Sequence, residues 1–206
     1  PLPAVPVELE SIRQQQWRGK FLLNRDFTLN NLINERKAKP YGIVHLATHT
    51  EFAAGQPENS YIQLGDTRLR LDQIRQLGWD DPPVKLLVLS SCQTALGDLQ
   101  AELGFAGLAY QTGVKSALAT LWSVDDAGTL ALMAKFYQQL RQAPIRSEAL
   151  RQAQIAMLRK QVSLQDQQLS LPGLTLPLPP EFQGLPSLNL SHPYYWAGFT
   201  MVGNPW

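Results

Sequence analysis

At 206 residues and 44% apolar content the chain can bury a sizeable core as one domain, and a formal charge of +1 without any Lys/Arg block argues against nucleic acid as its main partner. Its longest apolar runs fall far short of the roughly 20 residues that span a bilayer, so no membrane partner is expected. A single cysteine, Cys92, excludes an internal disulfide and suits a reducing cytoplasm. The chain begins with Pro1 rather than Met, and the expectation is a single domain over 1–206 taken from the C-terminal part of a longer protein.

In chain order, Val7 to Arg13 has apolar positions at helical spacing and predicts a short amphipathic helix. Lys20-Phe21-Leu22-Leu23 predicts a strand, and Asp26 is placed as N-cap of a helix over Phe27 to Asn34, so that strand, helix and the next strand form a βαβ unit. That next strand is Tyr41 to His49, ending on an imidazole. His45 and His49 are four apart, a zinc-binding spacing on a helix. On a strand four residues span about 13 Å, too far for one ion, so no metal is expected and His45 reads as a histidine satisfied within the sheet.

Tyr61 to Leu64 and Thr67 to Leu71, separated by Gly65-Asp66, predict a β-hairpin, and Asp72 is placed as the cap of a brief helix through Leu77. Val84 to Leu89 is an apolar run that passes abruptly into Ser90-Ser91-Cys92, as a buried parallel strand ending at a functional edge does. Ligands of open α/β sheets gather outside the carboxyl ends of strands. If the two strands are parallel neighbours, His49 and Cys92 share a site as a Cys/His dyad.

Glu102 to Tyr110 predicts a helix ending near Gly113, Val114 to Leu121 a buried strand, and Thr129 to Leu140 and Arg146 to Lys160 two core-facing helices. Ser123 or Asp125 caps the first of those two. The stretch 163–191 carries Pro172, Pro177, Pro179, Pro180 and Pro186 among leucines and reads as an extended insertion, either flexible or a strap for a partner. His192 reads as structural, and Tyr194 to Val202 as a final strand.

The segments Ile43 to His49, Leu89 to Gly97, Ala119 to Asp126 and His192 to Phe199 together resemble the CHAT domain family, relatives of caspases and separases. The resemblance implies an α/β fold of the caspase-like type, a three-layer sandwich whose mostly parallel sheet has helices on both faces. It places the catalytic base on His49 and the nucleophile on Cys92, with backbone N–H groups of Thr50 and Cys92 holding the oxyanion. Asp125 and Trp122 follow the strand after the nucleophile strand, which in caspase-like enzymes helps build the specificity pocket. A carboxylate there implies cleavage after a basic residue; the alternative is that Asp125 and Asp126 stabilise the start of the next helix.

Two positions depart from the family pattern: Thr50 stands where Gly usually follows the His, and Ser91 where Ala usually precedes the Cys. If position 50 requires positive φ, Thr50 stores strain and mis-aims its N–H. The function expected is therefore a cysteine endopeptidase acting on protein or peptide, without cofactor, regulated by tandem helical repeats in the same full-length chain. The competing expectation is a catalytically degenerate domain that binds partner proteins. A serine hydrolase is not expected, because no G-x-S-x-G elbow surrounds Ser90 or Ser91.

Overall fold

The computed structural model describes residues 2–52, 59–90, 93–94, 106–107, 109–182 and 188–206, which divide into two compact units. One unit comprises 19–123 and 199–205, the other 1–18, 124–198 and Trp206. The architecture is mixed α/β with a mostly parallel central sheet, of the caspase-like kind.

In the first unit the central sheet has four strands. The apolar runs identified in the sequence supply β1 (Ile43–Leu46) and β5 (Leu86–Leu89), which pair in parallel with Ile43 opposite Leu86 and Leu46 opposite Leu89. Strand β7 (Ser116–Thr120) runs parallel to β5 on its other side, and β11 (Phe199–Gly203) closes the edge antiparallel to β7. Every residue of β5 and β7 is buried, which is why their sequences are continuously apolar or small rather than alternating.

A second sheet is built from residues 50–52, 61–63, 68–70 and 93–94. Strand β2 (Thr50–Phe52) pairs antiparallel with β3 (Tyr61–Gln63) and parallel with β6 (Gln93–Thr94). Strands β3 and β4 (Arg68–Arg70) form the expected hairpin around Gly65-Asp66. Gly65 is required there: its N–H donates to Phe27 O at 2.7 Å, and a Cβ would run into the Asn24 carbonyl oxygen. Gly65→Ala is expected to lower stability by about 1–3 kcal/mol, the usual cost of overpacking against backbone, read as a lower denaturant midpoint at unchanged slope.

The predicted βαβ unit is not formed. Residues 20–23 adopt no regular structure, and Phe21 and Leu23 stay exposed while Leu22 alone of the three packs on the core. The chain then turns through a 3₁₀ segment, Asn24–Asp26, with Asn24 at φ 50°, which ends any extended run. Helix α2 (Leu29–Ala38) starts later than expected, because Thr28 rather than Asp26 caps it by accepting from Asn31 N. At the brief helix over Leu71–Leu77 the capping acceptor is Gln73 Oε1, bonded to Arg70 N, and Asp72 pairs with the Arg70 guanidinium instead. The expected helix toward Gly113 lies partly outside the described residues; Ala106 and Ala109, within it, are buried in the core.

In the second unit α1 (Val5–Gln14), α3 (Asp126–Leu140) and α4 (Arg146–Leu158) pack together, α1 and α4 each on α3. In the leucine-rich stretch, β8 (Ser163–Gln165), β9 (Gln168–Leu171) and β10 (Leu174–Pro177) form an antiparallel meander. Asp166 and Gln167, at φ 51° and 59°, make a turn of the type-I′ kind between β8 and β9; Pro172 and Gly173, the latter at φ 81°, make the next one. Leu164, Leu169, Leu171, Leu176 and Leu190 are buried, Leu169 completely. Residues 183–187, including Pro186, lie outside the described set.

The final strand is shorter than expected. Pro193 opens a 3₁₀ turn, Pro193–Tyr195, whose N-cap is His192, accepting from Tyr194 N at 3.2 Å. Only from Phe199 does the chain enter the sheet.

Candidate active site

The central sheet brings the two strands that lead to His49 and Cys92 side by side and in parallel, the condition under which the sequence places the two in one site. His49 lies three residues beyond Leu46, and Cys92 three residues beyond Leu89, the residue paired with Leu46. Immediately after His49 the chain enters β2, immediately after Cys92 it enters β6, and these two strands are again parallel partners, Glu51 opposite Gln93. Cys92 itself and Ser91 lie outside the described residues.

His49 is half-buried, and its backbone O accepts from Gln63 N at 2.8 Å. Thr48 Oγ1 donates to Gln63 O at 2.6 Å, so the chain around the imidazole is tied on both sides of the bend to β3. His45 is satisfied in the sheet: its Nε2 lies 2.8 Å from Ser90 Oγ.

The condition for strain at Thr50, a positive φ, is not met. Thr50 opens β2 as a buried ladder residue opposite Ile62, and it is not among the described residues with positive φ. Because His49 O takes Gln63 N, the alternation of an antiparallel ladder turns the Thr50 peptide groups away from β3, to the side on which β6 runs. A β-branched residue suits such a position and glycine does not. Thr50→Gly is therefore expected to cost roughly 0.5–1 kcal/mol of stability and to give no gain in turnover; a faster glycine variant in a peptide-cleavage assay would contradict this.

Trp122 lies two residues past the carboxyl end of β7, half-buried. Asp125 belongs to the other unit, where it is exposed and caps α3: Oδ1 accepts from Ala127 N at 2.8 Å and Gly128 N at 3.2 Å. Of the two capping candidates, Ser123 and Asp125, the chain uses Asp125. Ser90 is the residue that sequence reasoning missed. A hydroxyl closing a run of Leu-Leu-Val-Leu was the available signal, since a buried hydroxyl needs a partner.

A mostly parallel sheet with a histidine and a cysteine segment following adjacent strands defines a caspase-like, peptidase-related protein. The chain belongs to the CHAT domain family, whose model matches residues 1–204. A search of curated proteins finds no match. No helix among the described residues is long and apolar enough to cross a membrane.

Proposed function

We propose that this chain is a cysteine endopeptidase in which Cys92 is the nucleophile and His49 carries the proton. The observation that supports it most is the double parallel registration of the chain before and after the pair, β1 with β5 and β2 with β6. In this reading the Cys92 thiolate attacks the scissile carbonyl carbon, and the oxyanion is met by backbone N–H groups of Thr50 and Cys92. The C–N bond breaks as protonated His49 gives its proton to the leaving amine, leaving a thioester. Water then attacks the thioester carbonyl, His49 takes its proton, and the thiolate departs with the carboxylic product released.

The finer parts of the proposal are cleavage after a basic residue, selected by the Asp125 carboxylate with Trp122 beside the bound chain, and regulation by tandem helical repeats in the full-length protein. Digesting a peptide library and sequencing the new N-termini tests both the reaction and the preference. Cleavage lost in Cys92→Ala supports the reaction, whereas identical termini with and without the thiol sink it. Asp125→Asn keeps an oxygen for the α3 cap while removing the charge. A basic preference that persists in this variant takes Asp125 out of substrate selection.

A further inference from the structure

Beside the dyad the sheet holds a polar pair that the proposed chemistry does not use, His45 Nε2 and Ser90 Oγ at 2.8 Å. We infer that this pair positions the dyad: the hydrogen bond fixes the separation of β1 and β5 where they approach His49 and Cys92. The inference rests on the peptidase reading above.

The register puts the two side chains where this is geometrically natural. His45 is paired with Val88, and Ser90 lies two residues further along the β5 chain, so alternation directs both side chains to one face of the sheet. At this level the backbone ladder is loosening, with Ser90 N to Leu46 O stretched to 3.4 Å. Two and three residues past Leu46 the chain has handed over to a new partner, since Thr48 Oγ1 and His49 O both bond to Gln63 on β3. The side-chain bond ties β1 to β5 at that handover. Ser90 is two residues before Cys92, and His45 four before His49.

Packing alone gives no reason for the hydroxyl. Ser90 is fully buried after four buried aliphatic residues, where Ala would fill the same space. Nor is a hydroxyl at this level satisfied by default. Extending the β5–β7 register brings Ser90 opposite Thr120, whose buried Oγ1 has no partner among the described residues. Ser90 differs from it in having His45. A dyad needs this precision, because a displacement of about 1 Å between reacting groups can cost two orders of magnitude.

The test is the rate of Cys92 alkylation by iodoacetamide as a function of pH, in wild type, His45→Leu, His45→Gln and Ser90→Ala, each checked for folding by circular dichroism. If the pair positions the dyad, His45→Leu and Ser90→Ala move the labelling profile to higher pH by about one unit, slowing labelling about tenfold below the midpoint. Gln places an amide near the Nε2 position and is expected to restore the wild-type profile. A double variant combining His45→Leu and Ser90→Ala is expected to be no slower than either single one, as for two residues acting through one bond. Folded single variants that melt earlier yet label along the wild-type profile would make the bond purely structural and overturn the inference, leaving the peptidase reading in place. A wild-type thiol that labels no faster than a buried one removes that reading and this inference with it.

Discussion

His49→Ala is expected to lower the turnover of any cleaved peptide by two to four orders of magnitude, roughly the contribution of a positioned acid–base group, while Cys92→Ala removes it altogether. The same substitution separates the two roles of the imidazole in the absence of substrate. A thiolate beside a protonated imidazole forms well below the ordinary thiol value, so wild-type Cys92 is expected to react with iodoacetamide at neutral pH. In His49→Ala the labelling profile moves up toward a midpoint of about 8.5. The registration of β1 with β5 motivates this, since both residues follow the paired ends by the same number of positions. Slow labelling in wild type, unchanged by His49→Ala, would leave the protein a binding module on a peptidase fold.

The elements legible in the sequence are those whose pattern has one physical solution. A four-residue aliphatic run bounded by polar groups, as at Leu86 to Leu89, fits a strand covered on both faces, and two such runs with functional residues at their ends fit a parallel pair. Lys20 to Leu23 shows the limit of that inference. Its apolar residues carry the same local signal, but without a partner strand the backbone groups have no ladder to join, and the segment stays irregular with Phe21 exposed. The 163–177 meander was hidden for the opposite reason. Its first turn uses Asp166-Gln167 at positive φ, where sequence reasoning looks for glycine at the second position, and its prolines fall at the turn and at the end of β10 rather than inside a central strand.

At Thr50 the structure decides between the two backbone conformations that the sequence left open, since Thr50 is not among the described residues with positive φ. Glycine after a catalytic histidine points to positive φ only if the chain turns there. Here it continues directly into β2, and a three-residue strand pairing on both sides is not visible in Thr50-Glu51-Phe52 alone. The His45–Ser90 bond was half legible. A sheet histidine was expected to be satisfied, but its partner depends on register, which single-strand patterns do not specify.

The largest stability effect is expected at Arg36, a buried charge that holds the approach to β5 in place. Arg36 is 3% exposed; the guanidinium Nη1 donates to Leu77 O and Nη2 to Pro82 O at 2.8 Å. Its plane lies over Trp79, 5.0 Å from the ring centroid. Burial lowers its pKa from the ordinary value and Asp80 opposes that shift; a guanidinium keeps its charge in any case. One rigid fork thus closes the Leu77 to Pro82 loop from which the chain enters β5. Arg36→Leu would relieve the desolvation of the charge but leave two carbonyls without their donors, each costing about 1–3 kcal/mol, and would forfeit the contact with Trp79. The net expectation is a loss of about 2–4 kcal/mol, seen as a lower urea midpoint at unchanged slope. Arg36→Lys is expected to recover less than half of it, because one ammonium on a flexible stem cannot hold two carbonyls in a fixed plane and still cover the indole. A leucine variant within 0.5 kcal/mol of wild type, on the order of an ordinary surface change, would show that the loop is held by the buried Trp79 and its apolar neighbours and that the fork is dispensable.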